Sequence, residues 1–358
     1  MKLKKIWKIF ISLIIISFLC GTGVFYLYNY EISPVDKHDK KDVVFTVKKG
    51  STTKTIAKEL KSASLIHDEN FFVIYMKLNK ISNLQASTYR LKRSMTLKQI
   101  ISIINKGEGF NPDEIKITFK EGKNIRNVAK VISENTNNEY NSVIEKINNK
   151  EYIDELIKKY WFLKDDIKNK DIFYALEGYL FPNTYVFNNK DVTIDVIFEK
   201  MLDETDKILS KYKNDIEKSD YSVHELITLA SIIELEGLND SNRPDVASVF
   251  YNRLDKGISL GSDVTACYAQ KIDDTALCHR TANFNYPSKY NTRVVTNLGL
   301  PIGPICNPSE SSIKAAINPN KTDYMYFVAD KNTKLYFFKT KSEFEKKIKE
   351  LKQSGNWL

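Results

Sequence analysis

The segment SVHELITLASIIELEG, residues 222–237, is the part of the sequence that most restricts the fold. Ser222 and Glu225 have the spacing of a capping box, in which each side chain accepts a hydrogen bond from the other residue's backbone N–H. A helix is therefore predicted to begin at this serine. From Leu226 to Ile233 only small polar residues interrupt the apolar ones, so the helix has no polar face. We expect it to be buried on all sides and to end at Gly237.

Two acidic residues, Glu234 and Glu236, lie in the last turn of this predicted helix. Burial of a carboxyl group penalises its charged form and raises its pKa, as a general acid requires. A solvated or ion-paired acid without catalytic role is the alternative. Glu234 follows a stripe of small residues that leaves room for a ligand, whereas Glu236 follows a bulkier stripe. Helical geometry therefore favours Glu234 as the catalytic acid, without deciding the choice.

Length and composition predict a globular protein of two or more domains. The chain has 358 residues, of which 42% are hydrophobic and 28% charged, and a formal net charge of +9. Because the lysines are spread along the chain and mixed with acids, we expect a solvated basic surface and no nucleic-acid partner. Histidine and cysteine lack metal-ligand spacing, and glycine-rich phosphate loops and a nucleophile elbow are absent from the sequence. We therefore predict no metal.

The N-terminal residues predict a membrane anchor. Four lysines among the first eight residues precede an uncharged run from Ile9 to Tyr28. As a helix, this run can cross a bilayer core of about 30 Å. The lysines predict a cytoplasmic N terminus, so a single-pass protein of the cell membrane is expected, with its remaining chain outside the cytoplasm. A cleaved signal peptide is the alternative, but its apolar region is usually shorter.

An internal repeat follows the anchor. FTVKKGSTTKTIAKEL, residues 45–60, recurs as ITFKEGKNIRNVAKVI, residues 117–132, and residues 88–101 offer a third segment of the same type. Each of the first two copies predicts a short strand, a glycine-containing turn and an amphipathic helix, and the third segment predicts a strand, turn and helix of the same type. The units resemble LysM-like wall-binding modules. Packing modules, or spacers between the membrane and the rest of the protein, are the alternatives.

Four motifs occur in order along the second half of the chain: LEGYLFPNTYVF (176–187), LASIIELEG (229–237), SVFYNRLDKGISLGSDVTACYA (248–269) and YNTRVVTNLGLPIGPICNP (290–308). In this order, behind an N-terminal anchor, they resemble the endolytic murein transglycosylase family (MltG, YceG-like). The resemblance runs roughly from residue 44 to the C terminus and is strongest over residues 176–326. It implies a membrane-anchored enzyme that cuts nascent peptidoglycan strands internally and needs no cofactor.

The resemblance also implies roles for individual residues. The glutamate of the family's LASI-x-E motif corresponds to Glu234, which selects this residue over Glu236. The implied substrate-binding residues of the cleft are Glu177, Asn252, Asp263, Tyr290, Asn291 and Thr292. This chain departs from the family at Gly261 and Val264, where glutamine and proline are common, and this affects the expected glycan contacts more than the chemistry. Cys267 and Cys278 lie in the same segment and can form a disulfide outside the cytoplasm, with Cys306 free, or Cys306 pairs instead.

The predicted fold class is α+β, with a transmembrane helix, small LysM-like strand–helix modules and a mixed catalytic domain. The expected boundaries are a cytoplasmic tail (1–8), the transmembrane helix (9–28), a linker (29–42), a LysM-like module (43–108), a second repeat-related module with a connecting region (113–190) and the catalytic transglycosylase domain (191–358).

The activity implied by the resemblance is cleavage between N-acetylmuramic acid and N-acetylglucosamine, which leaves 1,6-anhydro ends. One alternative is a lysozyme-type muramidase that uses water and takes Asp263 or Glu177 as its second carboxylate. Another is a scaffold without catalytic activity that binds peptidoglycan for cell-wall synthases. The expected partners are glycan strands, the membrane and the synthases.

Overall fold

The computed structural model describes residues 2–357, and the side chains of residues 2–6, 9 and 275 lie outside that description. The first lysines of the predicted cytoplasmic tail are among those side chains. The chain divides into two compact units, Met1–Asp113 and Glu114–Leu358. Helices and short antiparallel strand pairs occur in both units, so the fold is mixed α+β.

The first unit contains four helices and two strands within the described residues: α1 (Lys2–Ile32), β1 (Asp42–Val47), α2 (Thr53–Ser62), α3 (Glu69–Leu78), β2 (Ser87–Lys92) and α4 (Leu97–Lys106). Between Phe10 and Ile32, α1 is long and apolar enough to cross a membrane, with a mean hydropathy of 2.2. It is thus compatible with a single-pass anchor. The strands β1 and β2 pair in antiparallel orientation, and helices α2, α3 and α4 contribute to a small core beside them.

The second unit contains the remaining elements: β3 (Ile115–Thr118), α5 (Ile125–Asn135), α6 (Tyr140–Ile147), α7 (Lys150–Lys159), a 3-10 turn (Asp165–Lys168), β4 (Thr184–Phe187), α8 (Ile194–Ser210), α9 (Lys213–Glu217), α10 (Val223–Glu236), α11 (Arg243–Asp255), α12 (Asp263–Ala269), α13 (Thr275–Thr281), α14 (Glu310–Ile317), β5 (Tyr326–Ala329), β6 (Leu335–Phe338) and α15 (Lys341–Gln353). β3 pairs with β4 and β5 with β6, both in antiparallel orientation. One continuous core extends from Ile117 to Ala316.

The repeat predicted from the sequence has the same local structure in both copies. Each copy is a strand, a turn with a glycine at positive φ, and a helix, and in each an antiparallel partner strand pairs with the first one. Thr46 lies opposite Thr88, and its repeat equivalent Thr118 lies opposite Thr184. The hydroxyl oxygens of the two pairs are 3.0 and 2.8 Å apart. The two copies therefore also share the register of strand pairing.

The helix α10 lies in the core of the second unit. Its N-terminal capping box is formed by Ser222 and Glu225, as the sequence predicts. Every residue from Leu226 to Ile233 is buried. Since a helix without a polar face must be covered on all sides, the elements packed around α10 determine where its terminal acids lie.

A disulfide joins Cys267 in α12 to Cys278 in α13, with the two Cα atoms 5.6 Å apart. Cys306 is free and buried. Of the alternatives left open by the sequence, the structure contains the Cys267–Cys278 pairing. The bond closes the loop that carries Asp273 and Asp274.

Candidate active site

The end of α10 is fixed by a close approach of Arg243. Gly237 follows the helix with φ −81° and ψ 103°, so it does not have the left-handed conformation common after helices. A Cβ atom at this position would lie 2.6 Å from Arg243 Cγ and 2.8 Å from the carbonyl oxygen of Ile233. Any larger residue would clash with these atoms, so glycine is required at this position. The absence of a side chain allows Arg243 to reach the last turn of α10.

The Glu234 side chain is only 6% exposed and lies between the first residues of two other helices. Its Oε1 accepts a hydrogen bond from Arg243 Nη2 at 3.0 Å, next to the start of α11. Its Oε2 accepts from the backbone N–H of Ser309 at 2.9 Å, from Ser309 Oγ at 2.6 Å and from Ser312 Oγ at 2.7 Å. A carboxylate at the N-terminus of α14 also interacts favourably with the helix dipole. The two oxygens thus differ, since Oε2 has three donors and Oε1 has one.

Arg243 connects the acids and hydroxyls of this site. Besides Glu234, its guanidinium donates hydrogen bonds to the Asp240 carboxylate and, at 3.0 Å, to Ser309 Oγ. The arginine side chain is only 9% exposed, whereas that of Asp240 is largely in solvent. A buried guanidinium paired with a buried carboxylate fixes the geometry of both side chains.

The small-residue stripe of α10 does not leave room for a ligand, and the expectation from the sequence is wrong on this point. The loop 301–308 fills the space. The backbone N–H of Ile305 donates to Ser231 Oγ at 3.0 Å, and Cys306 Sγ donates to the Ser231 carbonyl at 3.3 Å. Small side chains are needed because the backbone of this loop must approach the helix closely, and the loop then places Ser309 against Glu234.

A turn of the second repeat copy, residues 119–124, lies beside Glu234. A Cβ atom at Gly122 would be 3.6 Å from Glu234 Cγ and 3.3 Å from Leu235 Cδ2. The turn is attached to the loop that precedes α14, because Gly122 N donates to the Asn307 carbonyl and Asn307 N donates to the Lys123 carbonyl. This contact between distant parts of the sequence forms one wall of the site.

Glu121 in this turn adds a second acid to the site. Burial and the neighbouring Glu234 carboxylate raise the pKa of Glu121, while Arg243 acts in the opposite direction. The residue remains exposed to solvent. Glu121 is therefore an accessible acid close to the candidate catalytic carboxylate.

A groove of about 740 Å³ begins at the same turn. Lys120 and Lys123 line it together with Arg126 on α5 and Asp273 on the disulfide-closed loop. Arg126 donates hydrogen bonds through Nε and Nη2 to Asp273, so the two walls of the groove are joined. The groove is open, combines charged side chains with a larger apolar surface, and is adjacent to the turn that contacts Glu234.

Glu236 points to a different part of the unit than Glu234. Ser262 Oγ donates to Glu236 Oε1 at 2.6 Å, at the start of α12. Burial raises the pKa of Glu236, and the hydrogen bond from Ser262 acts in the opposite direction. The two acids of the last turn of α10 therefore have separate sets of partners.

Glu177 is fully buried and holds the start of α5. Its carboxylate accepts hydrogen bonds from the backbone N–H of Ile125 at 3.0 Å and from the Tyr268 hydroxyl at 2.8 Å. Burial raises the pKa of Glu177 to about 8, although both hydrogen bonds act in the opposite direction. Ile125 immediately follows the turn beside Glu234, so Glu177 fixes that turn from within the core.

Four other residues implied by the family resemblance bond to the protein itself. The amide of Asn252 donates to the carbonyls of residues 322 and 324, and that of Asn291 to the carbonyls of residues 284 and 286. The Thr292 hydroxyl accepts from Ser262 N at 3.1 Å, and the Tyr290 hydroxyl accepts from the backbone of residue 173. These side chains hold loops in place, and their contact with a substrate stays a prediction.

Four of the six implied substrate-binding residues are buried and Asn252 is half-buried, whereas the Asp263 side chain is 40% exposed. It lies 3.2 Å from Arg293 Nη1 and close enough to Glu236 to raise the pKa of that residue. Its substrate contact likewise stays a prediction.

Sequence reasoning missed the residues that surround Glu234: Glu121, Arg243, Ser309 and Ser312. Two of them carry local signals, since Arg243 precedes a proline at a helix start and Ser309 is the N-cap of α14. Neither signal shows that the residue contacts a carboxylate on another helix. Such a contact depends on how the C-terminal end of α10 packs against the N-terminal ends of α11 and α14.

Comparisons with known proteins identify the family. A family model described as the YceG-like family matches residues 45–350. The chain is 36% identical over 326 residues to a Bacillus subtilis (strain 168) protein named endolytic murein transglycosylase, covering 90% of this chain and 89% of the relative. It is 32% identical over 357 residues to a Streptococcus pneumoniae (strain D39) protein of the same name, covering 95% of this chain and 64% of the relative. The chain thus spans less than two thirds of the streptococcal protein.

A crystal structure of a YceG-like protein from Listeria monocytogenes has a similar fold. The TM-score is 0.60 at 34% sequence identity, over 86% of this chain and 99% of the other. Together with the family model, which matches more than half of the chain, and the Bacillus relative, this similarity establishes that the chain is a member of the YceG-like family.

Proposed function

We propose that this protein is a membrane-anchored endolytic murein transglycosylase with Glu234 as its catalytic residue. The relatives named as such enzymes support the activity. The assignment of Glu234 as the catalytic residue rests on the position of its carboxylate. This group is almost fully buried, forms an ion pair with Arg243 and lies beside a solvent-exposed turn. Such a site can control the protonation of one carboxyl group, which is the requirement of the reaction.

In the proposed reaction, Glu234 first protonates the glycosidic oxygen between N-acetylmuramic acid and N-acetylglucosamine. As a carboxylate it then removes the proton from the 6-hydroxyl of the muramic acid. That hydroxyl oxygen bonds to the anomeric carbon as the glycosidic bond breaks, which leaves a 1,6-anhydro end. Because the nucleophile belongs to the substrate, proximity replaces the capture of water, and one carboxyl group serves both steps.

Within Glu234, we assign proton transfer to Oε1. Three donors occupy Oε2, whereas Oε1 has the single bond from Arg243. A carboxylate oxygen has two acceptor positions, so Oε1 retains one for a substrate proton. Ser309 and Ser312 then hold the carboxyl plane in place, and Arg243 stabilises the negative charge after the proton has left.

Glu177 is assigned a positioning role in this scheme. Enclosed by Ile125 and Tyr268, it is poorly placed to activate water as the second carboxylate of a hydrolase. Asn252, Tyr290, Asn291 and Thr292 are assigned to hold the loops around the cleft, and Asp263 to contact the glycan at its edge.

The domain assignments follow from this scheme. Residues 191–358 carry the catalytic helix ends, and residues 113–190 supply the turn beside Glu234. Residues 43–108 form a LysM-like module for glycan, residues 29–42 the linker, residues 9–28 the transmembrane helix and residues 1–8 the cytoplasmic tail. With the N-terminal lysines inside, the catalytic unit lies outside the cytoplasm, next to nascent glycan and the synthases that make it.

The decisive experiment compares two variants of adjacent acids. Full-length protein is incubated with uncross-linked murein glycan, and the products are analysed by mass spectrometry. Glu234→Gln is expected to lower cleavage by roughly 10³-fold or more, because the proton donor is lost. Glu236→Gln is the matched control and is expected to remain active.

Circular dichroism and the melting temperature show whether both variants keep the fold. A Glu234→Gln variant that is folded and as active as the parent would reject the assignment. Products with reducing ends in place of 1,6-anhydro ends would show that the enzyme is a hydrolase.

A further inference from the structure

The helix α3 carries an exposed apolar stripe. Phe71, Ile74 and Leu78 follow one another at helical spacing on one side, and Ile74 and Leu78 are 55% and 76% exposed. The opposite side of the helix is buried in the core of the first unit. An isolated exposed leucine is common, but an aligned stripe on a helix whose other face is already buried indicates a binding surface.

The contacts between α3 and α1 give the direction of α3. Near the end of α1, Ser33 Oγ lies 3.4 Å from His67 Nε2, and the Tyr30 ring is 4.3 Å from the His67 ring. Further back in α1, the Tyr28 ring packs on Phe71 at 6.0 Å. The helix α3 therefore runs antiparallel to α1, in the direction of the apolar part of α1. The C-terminal end of α3 lies on the membrane side of its N-terminal end.

The level of the bilayer surface follows from the charges of α1. No charged residue occurs from Ile9 to Tyr28, and Glu31 is the first one after that run. This inference rests on the proposed membrane anchor: with α1 spanning the bilayer, Tyr28 lies at the bilayer surface, where aromatic residues are common. From Phe71, which packs on Tyr28, α3 extends to Leu78, roughly 10 Å along a helix axis. This distance is sufficient to reach the upper acyl chains.

Charges beside the stripe match a lipid surface. Lys77 and Lys80 are exposed at the C-terminal end of α3, whereas the acids Asp68 and Glu69 lie at its N-terminal end. A lysine next to an apolar stripe can place its ammonium among lipid phosphates while its alkyl chain stays in the interface. The apolar and basic end of α3 is thus the end that points towards the bilayer.

We propose that α3 is a second membrane contact of this protein. Ile74 and Leu78 insert among the headgroups and upper acyl chains of the leaflet that contains Tyr28, and Lys77 and Lys80 bind anionic phospholipid headgroups. The first unit is then held against the membrane by two elements, α1 and α3. The two contacts fix the first unit at the bilayer surface. A flexible tether alone would let this unit move relative to the membrane.

The test measures membrane depth along α3 in the full-length chain. Single tryptophans are introduced as Asn70→Trp, Ile74→Trp and Leu78→Trp in a background that lacks the three native tryptophans (Trp7→Phe, Trp161→Phe and Trp357→Phe). The proteins are reconstituted in phospholipid nanodiscs with brominated acyl chains. Quenching is expected to increase from position 70 to 74 to 78, with roughly two-fold or greater loss of fluorescence at 78. Asn70→Trp is the control, since it is exposed on the same helix at the end that points away from the bilayer.

Equal quenching at positions 70 and 78, or none at 78, would overturn the proposal. A blue-shifted but unquenched tryptophan at position 78 would also overturn it, because another protein chain would then cover the stripe. For the lysines, Lys77→Glu/Lys80→Glu is expected to reduce quenching at 78 in phosphatidylglycerol discs more than in phosphatidylcholine discs. Lys54→Glu/Lys58→Glu on α2 is the charge-matched control, and an equal effect of this pair would reject the role of the two lysines.

Discussion

The two copies of the strand–turn–helix repeat have the same local structure and different surroundings. In the first copy, the turn between β1 and α2 is open, and a Cβ at Gly50 would meet no described atom within 4 Å. In the second copy, a Cβ at the equivalent Gly122 would contact Leu235 and Glu234. Both glycines have positive φ, so the backbone explains glycine in both places. Only the turn of the second copy forms part of the candidate active site around Glu234.

The residues next to these glycines differ in charge. Lys49 of the first copy corresponds to Glu121 of the second, where the neighbouring carboxylate and burial raise the pKa of the acid. The helix starts also differ. Thr52 alone caps α2 through its side chain, whereas α5 has both the Asn124 side chain and the buried Glu177. The two copies thus share a backbone structure. The side chains that differ between them give the second copy its role in the site.

Among the changes that compare the two copies, exchanging the charges of their turns should have the largest effect on activity. Glu121→Lys places a second cation beside Arg243, which favours the ionised form of neighbouring carboxyl groups and opposes proton donation. We expect cleavage of glycan to fall at least about ten-fold, equivalent to roughly 1.4 kcal/mol in the barrier. The reciprocal change Lys49→Glu is expected to leave cleavage unchanged. Equal losses in both variants would mean that the turns are not functionally different.

Glu177→Gln should change how stability depends on pH. The pKa of Glu177 is raised from 4.5 to about 8, so the folded state keeps a proton that the unfolded state loses in this window. The contribution of this residue to stability is therefore greatest below pH 4.5 and is lost as the pH rises to about 8. The loss amounts to a few kcal/mol.

The measurement for Glu177 is urea unfolding at pH 5, 7 and 9. Glu121 and Glu236, whose pKa values are also raised, remain in both proteins, so the difference between parent and variant isolates Glu177. We expect the variant to lose less stability than the parent from pH 5 to 9. Parallel curves for the two proteins would contradict the raised pKa.

Alanine in place of each glycine separates backbone strain from contact with the site. Gly50→Ala and Gly122→Ala should each destabilise the protein by about 1–2 kcal/mol, because alanine is strained at positive φ. Only Gly122→Ala should also lower cleavage, by a few-fold, since its methyl group would crowd Leu235 and Glu234. Urea unfolding and glycan cleavage, measured on both variants, test this. Loss of cleavage in Gly50→Ala would contradict it.

The strand pairs should give the smallest and most similar effects. Thr46→Val and Thr118→Val each remove one hydrogen bond between threonine hydroxyls. We expect each to cost less than about 1 kcal/mol in unfolding free energy, with cleavage unchanged. A clear loss of cleavage in Thr118→Val alone would show that β3 and β4 help to position the turn beside Glu234.

Local patterns predicted many elements of this protein from the sequence. The capping box, the apolar run up to Ile233 and Gly237 correctly placed the buried helix, and the repeat placed two strand–turn–helix segments. These features depend on neighbouring residues, so a sequence is sufficient to find them. The same reasoning failed for the small-residue stripe, because small residues favour a ligand and a packed loop equally well.

The sequence by itself determined that a carboxylate ends a buried helix and that a strand–turn–helix unit occurs twice. Only the tertiary structure decided that Arg243, Ser309 and Gly122, far apart along the chain, surround Glu234, whereas Ser262 holds Glu236. The reason is physical. Secondary structure follows from backbone sterics and local hydrogen bonds, but the environment of a buried charge depends on which other helix ends and loops pack against it.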